Sequence, residues 1–264
     1  MPYLNSVLIK GGGEIATAVA HKLHRCGFKV VITEVERPSM VRRKVCFANC
    51  IYEKTWCVEG VSSVLINNYF DIEKQQNIGR IPVIIDAVCK TKNYMNPSIL
   101  IDGILAKKNL GTSISDAPIV IGLGPGFIAG FDVHSVIETQ RGHDLGRVIL
   151  YGSAALDTGI PGDILGYNVE RVLRAPACGI TKNVLDIGCL VEKGDVICET
   201  NGIPVYASIK GVVRGLIQEG IQVNKNDKIG DIDPRGIIQY CNTISDKGRC
   251  IAGGVLEAIY SLQT

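Results

Sequence analysis

The residues with the plainest chemical capacity are Gly11, Gly12, Gly13, Glu14 and Ile15, together with Glu34, which follows Gly11 by 23 positions. Glycines in a tight turn let backbone N–H groups approach a phosphate with no Cβ in the way. A helix that starts at Glu14 aims the positive end of its dipole at the same point. An acid at the end of the next strand accepts hydrogen bonds from a ribose diol and repels a 2′-phosphate. The flanking residues supply the order this chemistry needs. Residues 7–10 form an apolar strand, Ala16, Ala20 and Leu23 recur at helical spacing, Gly27 closes the helix, and residues 29–33 form a second strand. Ala16 takes the place of the third glycine, where helix packs on strand. The blander reading is a glycine turn that only closes a strand–helix–strand unit, and the Glu14 carboxylate crowds an anion; both readings stand at this point.

Further strands are expected at Thr55–Val58 and at residues 81–85 and 99–105, with a polar helix at Asp71–Asn77. Alternation of this kind predicts an α/β domain, a parallel sheet with helices on both faces. Ligands of such sheets lie outside the carboxyl ends of the strands. Asp86, Lys107 and Asn109 fall there, as do Gly124 and Gly126 of the loop after Ile119–Leu123. They join the glycine turn and Glu34 as expected binding residues, although Lys107 reads equally well as a surface cation.

Asp132, His134, Glu138, Arg141 and His143 crowd one short stretch. Asp132 and His134 read either as a metal or acid–base pair or as a hydrogen-bonded structural histidine. Ten cysteines run from Cys26 to Cys250 without a C-x-x-C pair, so in a reducing compartment they read as buried small hydrophobes or free thiols. Cys46, Cys50 and Cys57 are the closest group, and no metal site is assigned to them.

A net charge of +2 gives no electrostatic reason to expect a nucleic-acid partner, and apolar content of 46% with 20% charged residues describes an ordinary globular chain of 264 residues. No targeting segment is visible. The longest uncharged run, 117–131, is interrupted by Pro118, Pro125 and glycines and is too short to span a membrane. The expected location is cytoplasmic.

An internal repeat at offset 32 pairs Ala175 with Ala207, Gly179 with Gly211, Gly188 with Gly220, Val191 with Val223, Lys193 with Lys225, Asp195 with Asp227 and Ile197 with Ile229. Two copies of a short-strand unit imply a small pseudo-symmetric all-β module. Its D-I-G-C-L-V-E-K-G-D-V-I run resembles the biotinyl/lipoyl barrel-sandwich hybrid, whose carrier members expose a lysine at a hairpin tip. The corresponding tip here, residues 199–204, has an Asn-Gly turn and no lysine. Covalent biotin or lipoate is therefore not expected, and the module reads as a platform for docking or for a homo-oligomer contact. The expected boundaries are 1–115 for the nucleotide-binding domain, 116–170 for a glycine-rich β connector, 171–233 for the hybrid barrel and 234–264 for a C-terminal helix that packs on the first domain.

The strings VLIKGGGEIATAVAHKL, ILAKKNLGTS, APIVIGLGPGFIAG, DVHSVIETQRGHDLGRV and DTGIPG, followed by RVLRAP and the repeat, resemble YqeB-type maturation proteins of selenium-dependent molybdenum hydroxylases nearly end to end. The amino-terminal half is also similar to XdhC/CoxI accessory proteins, which load molybdenum cofactor into xanthine-dehydrogenase-like enzymes. The resemblance implies a Rossmann-like first domain, a client molybdenum hydroxylase as partner, and a nucleotide or molybdenum cofactor as ligand. It does not establish a catalysed reaction. Two enzymatic alternatives stay open: an NAD(H)-dependent oxidoreductase with NAD at Glu34 and His134 or His143 as proton donor, and a sulfur or selenium transferase using Cys46 beside Arg42, Arg43 and Lys44.

Overall fold

The computed structural model describes residues 5–263, which fall into two compact units. The first comprises Met1–Glu36, Phe47–Thr158 and Ile244–Thr264; the second comprises Arg37–Cys46 and Gly159–Thr243. This division differs from the boundaries expected at 115, 170 and 233.

In the first unit, β1 (Ser6–Lys10) leads through the glycine turn into α1 (Glu14–Arg25) and returns as β2 (Lys29–Glu34). The short α2 (Cys50–Glu53) precedes β3 (Thr55–Val58) and β4 (Val61–Ile66). These two strands form an antiparallel hairpin in which Val58 faces Val61 across Glu59-Gly60, both with positive φ. The third strand read from sequence is therefore the outer arm of a hairpin, and β4 is the strand that joins the parallel array. The chain continues through α3 (Asp71–Asn77), β5 (Arg80–Ile85), α4 (Thr91–Met95), β6 (Ile99–Asp102), β7 (Ile119–Leu123), β8 (Ser135–Ile137) and β9 (Val148–Ile149).

These strands build one nine-stranded sheet in the order β3-β4-β5-β2-β1-β6-β7-β8-β9, parallel from β4 to β8. The order reverses direction between β1 and β6, because the chain first builds outward from β1 on one side and then on the other. The stretch expected to be a separate connector thus supplies three strands of this sheet. Strands buried on both faces must be apolar throughout, which is why Leu8, Ile9, Ile99, Leu100, Ile101 and Ile121 are all fully buried. Ile72 of α3 and Met95 of α4 pack with Leu8, Val31, Leu100 and Val120 on one face, while α1 contacts β1 and β2 and lies along the C-terminal helix.

In the second unit, β10 (Val172–Arg174), β11 (Gly179–Asn183), β12 (Leu190–Val191) and β13 (Val196–Thr200) recur 32 residues later as β14 (Ile203–Tyr206), β15 (Gly211–Leu216), β16 (Gln222–Val223) and β17 (Lys228–Asp233). They form two antiparallel sheets of order β10-β17-β15-β12 and β14-β13-β11-β16. Adding or subtracting the repeat offset converts one order into the other. Registers obey the same rule: Leu190 faces Val212, and Gln222 faces Ile180. Each sheet takes two strands from each copy, so neither copy completes a sheet by itself. The Asn201-Gly202 turn joins β13 to β14 with φ of 53° and 75°, the left-handed pair a two-residue hairpin requires.

The second unit buries a charged network as well. Arg171 pairs with Asp231 at 2.5 Å, and Asp233, fully buried, accepts from Arg235 Nη2 at 2.6 Å and lies 3.6 Å from Arg214.

The C-terminal helix α5 (Asp246–Ser261) belongs to the first unit. Its glycines explain how closely it is held. A Cβ on Gly248 would lie 2.9 Å from Ala18 Cβ, and one on Gly254 would lie 2.0 Å from the Gly146 carbonyl oxygen. No helix among the described residues is long and apolar enough to cross a membrane.

Candidate functional site

The carboxyl ends of β5, β2, β1, β6, β7 and β8 share one edge of the sheet, so Asp86, Glu34, the glycine turn, Lys107, the Gly124 loop and Glu138 lie along the same side. The Gly124 loop rests on its neighbour there: a Cβ on Gly126 would stand 2.6 Å from the Lys108 nitrogen. What each residue does at that edge differs from the expectation in several places.

The glycine turn is closed along most of its length. Gly11 has φ +87°, donates its N–H to Thr33 O at 2.8 Å, and has the Ile104 backbone 3.2 Å from where a Cβ would be. Gly12 donates to Glu34 Oε2 at 2.8 Å and accepts at its carbonyl from Ala48 N–H at 3.1 Å. A Cβ on Gly12 would fall 2.9 Å from Ala48 Cβ. Glu34 was expected to hold a ribose; its carboxylate instead serves the turn, with Oε1 also accepting the Val35 N–H at 2.8 Å. Burial pushes the Glu34 pKa up, against the pull of these two N–H groups. The N–H that a phosphate would take at Gly12 is already given to a carboxylate. Ala16 meets Gly103, whose Cβ would sit 2.9 Å from Ala16 Cβ, so close packing between α1 and the end of β6 uses two small residues.

Gly13 is different. No atom lies within 4 Å of its Cβ position, and it caps α1 with an ordinary extended backbone, φ −69° and ψ −176°. Next to it, Glu14 Oε1 accepts from Ser245 Oγ at 2.9 Å, and Ser245 caps α5 by accepting the Gly248 N–H. Glu14 beside Ser245, Ala18 beside Gly248 and Lys22 Nζ on Arg249 O at 3.4 Å show that α1 and α5 run parallel with their starts level. Two positive helix ends therefore point to the same edge of the sheet. In the first turn of α5 stands Lys247, half-buried. Burial and then the Arg141 charge lower its pKa, while Glu14, Asp157 and Glu138 oppose them. The sequence carries one signal for Lys247, its position two residues after the helix-capping Ser245. Lys107 is held nearby in this group through its 2.5 Å ion pair to Asp157, and Arg141 is bidentate on Asp246.

The remaining expected residues shape loops. Asp86 Oδ2 accepts the Thr91 N–H and hydroxyl, both at 2.7 Å. Burial alone would raise its pKa, but these bonds, with N–H groups of Lys90 and Val88, hold it below the usual range. Asn109 Oδ1 accepts from Gly111 and Thr112, a local turn that sets the Thr112 hydroxyl 2.6 Å from Asp102 Oδ2. Lys10 completes this buried triad, 3.1 Å from Asp102 at the point where the sheet order reverses.

Asp132 and His134 do not form a pair. Asp132 Oδ2 accepts the Ile128 N–H, and His134 Nδ1 accepts the Val120 N–H at 3.0 Å. Burial holds the His134 pKa down, so the ring is neutral and fixed. Glu138 is equally committed, accepting from Thr139, Gln140 and Ala155 at 2.7 Å each. Cys46 is fully buried and gives its thiol to Arg42 O; Arg42, Arg43 and Lys44 are directed to carbonyls of Tyr240, Leu216 and Ile187. Cys46, the candidate thiol of the transferase alternative, is thus out of contact with solvent and bonded to backbone. Cys50 has its pKa pushed up to about 12 by burial. Among the described residues no group of three or more His, Cys, Asp or Glu side chains is arranged to hold a metal.

No protein-family model matches the chain. The Escherichia coli K12 protein named "Uncharacterized protein YqeB" is 46% identical over 256 residues, 97% of this chain and 47% of that protein. The similarity supports membership of the YqeB family, and the chain spans about half the length of this curated relative. Among solved structures, the ectoine utilization protein EutE (DoeB) from Ruegeria pomeroyi matches at 12% identity over 86% of each chain, with a TM-score of 0.26. An aspartoacylase family protein from Mesorhizobium loti matches at 14% identity over 86% of this chain and 84% of that one, with a TM-score of 0.25. Overlaps this low carry no argument about fold or activity.

Proposed function

We propose that this chain is an accessory protein in the maturation or cofactor insertion of a selenium-dependent molybdenum hydroxylase, and that it holds the phosphate end of a nucleotide or molybdopterin-type ligand at the carboxyl edge of its parallel sheet. One observation carries the reading: the start of α1 is open at Gly13, lies level with the start of α5, and has Lys247 beside it. That edge offers N–H groups and cations suited to an anion. Of the side chains nominated for chemistry, His134 and Cys46 are engaged with backbone, and His143 is exposed.

An anionic ligand fits at Gly13 and not at Gly12, where Glu34 and Ala48 occupy the approach. Gly13 and Lys247 would hold its phosphate, and Arg141, itself bidentate on Asp246, would border it together with Lys107 and the Gly124 loop. A molybdenum cofactor bound there supplies redox chemistry only after delivery to the client; this chain binds and orients. We read the first unit as Rossmann-like, supported by the order reversal between β1 and β6, and the second as a barrel-sandwich hybrid, supported by strands exchanged between repeat copies. Its hairpin tip carries Asn201-Gly202 and no lysine, so the second unit serves as a docking platform for the client. Kinship with YqeB supports the family on which the role rests. The NAD(H) reading draws no support from Glu34, whose carboxylate is engaged, and the transferase reading draws none from Cys46.

The test is genetic and physical together. Deleting the gene should abolish molybdenum hydroxylase activity without lowering the amount of hydroxylase polypeptide, and affinity capture of the full-length protein should bring down that hydroxylase. Fully active hydroxylase in the deletion strain overturns the proposal.

A further inference from the structure

Where the sheet order reverses, a partly open pocket of about 60 Å³ lies between the ends of β1 and β6 and the start of α4. Lys10, Lys92, Asp116 and Cys89 line it, with Val88 and Leu110 among its apolar wall. Lys10 is 7% exposed, so its ammonium has been removed from water. An ammonium carries three donors. Lys10 gives one to Thr112 Oγ1 at 2.5 Å and one to Asp102 Oδ2 at 3.1 Å; Lys92 gives one to Asp116 Oδ1 at 2.5 Å. That leaves one donor on Lys10 and two on Lys92 for which the described residues provide no acceptor.

The carboxylates here are already used. Asp116 Oδ2 accepts the Ser113 N–H at 3.0 Å, and Asp102 Oδ1 accepts the Ile104 N–H at 3.2 Å. The spare Lys10 donor is buried, and leaving it without an acceptor is costly, whereas the Lys92 side chain is 30% exposed and its spare donors reach solvent. An acceptor-rich guest removes the cost at Lys10 and is shared by Lys92. At roughly 10–15 Å³ per water-sized group, the cavity holds about four to six heavy atoms. A tetrahedral oxyanion has five. The backbone around the cavity is also held in an unusual conformation, with Cys89 at φ +57° on one side and Leu105 at φ +59° after β6. Non-glycine residues in this region cost energy and gather at ligand sites.

We propose that this cavity is a binding site for a small tetrahedral oxyanion of the phosphate or sulfate class, held by the ammonium groups of Lys10 and Lys92. It is separate from the Gly13 edge and does not depend on the accessory role. Either class of oxyanion satisfies the same donors, and titration distinguishes them.

The full chain is titrated calorimetrically with inorganic phosphate and, separately, with sulfate at constant ionic strength. The expected result is saturable binding of one anion with a dissociation constant of about 1 mM or tighter. Lys92→Gln, whose amide still donates to Asp116, should weaken binding at least tenfold with an unchanged urea midpoint. Lys210→Gln, at an exposed pair with Glu192 in the second unit, should leave affinity as it was. Absence of saturable binding, or equal affinity in parent and Lys92→Gln, overturns the proposal. Should Lys92→Gln prove less stable, a crystal structure of the parent grown with phosphate decides: anion density against Lys10 and Lys92 supports the site, and water or apolar closure there refutes it.

Discussion

Gly12 and Gly13 are adjacent in sequence and opposite in surroundings, so replacing each in turn separates packing from ligand contact. In Gly12→Ala the new Cβ stands 2.9 Å from Ala48 Cβ and 3.1 Å from Ala48 N, a backbone neighbour that cannot swing aside. Its φ is not in the left-handed region, so the cost is steric alone. Overpacking of this kind costs about 1–3 kcal/mol, and at the middle of that range the folded-to-unfolded ratio falls roughly 30-fold. In Gly13→Ser nothing lies within 4 Å of the new Cβ, and the extended backbone is one that an N-cap serine adopts. Stability should stay level or rise by a few tenths of a kcal/mol. The serine Oγ, however, occupies the N–H groups at the start of α1 that a phosphate would use, so ligand affinity should fall at least tenfold. Urea unfolding followed by fluorescence of Trp56 gives the first quantity, and titration with the co-purifying ligand gives the second. Equal unfolding midpoints for parent and Gly12→Ala would refute the packing argument, and undiminished affinity in Gly13→Ser would refute the placement of the ligand.

Gly254→Ala should cost about 3 kcal/mol or more, because its Cβ would overlap the Gly146 carbonyl oxygen at 2.0 Å; urea denaturation reads it. Arg171→Met should destabilise the second unit by about 3–5 kcal/mol by leaving Asp231 buried without its closest cation, as followed by loss of hydrogen-exchange protection in β10 and β17. Burial lowers the pKa of His21, His24 and His134, so the unfolded state binds more protons below 6.5 and stability should decline as pH falls from there toward the folded values. His134→Asn, whose Oδ1 can accept the Val120 N–H in place of Nδ1, should make that decline shallower in pH-dependent urea unfolding; an unchanged slope would remove His134 from the account.

The strands most easily read were those buried on both faces, because residues such as Leu8, Ile9 and Ile121 have no polar neighbours to suggest another period. The hairpin of β3 and β4 was harder. Val61–Ile66 mixes Ser62 and Ser63 into an apolar run, and nothing local tells that it, and not Thr55–Val58, joins the parallel array. The repeat was legible as an offset, but sequence could not show that its copies exchange strands, since that pairing is long-range. At the site, the glycine turn was visible and its occupancy was not. Glu34 ends β2 just as a ribose-binding acid does, and only the approach of Ala48 and the Gly12 N–H shows the carboxylate turned inward. Lys247 went unnoticed because its neighbours Glu14, Glu138, Arg141 and Asp157 are distant in sequence and meet only when α5 lies beside α1.

The central claim, that the carboxyl edge at Gly13 and Lys247 holds a phosphate-bearing nucleotide or pterin, is tested most directly by mass spectrometry of small molecules released when the purified protein is denatured. The account predicts a phosphorylated pterin or nucleotide in near-stoichiometric amount from the parent, and its loss from Gly13→Ser and Lys247→Gln variants that unfold at the parent's urea concentration. Release of no such compound from the parent, or full retention by both variants, would contradict it.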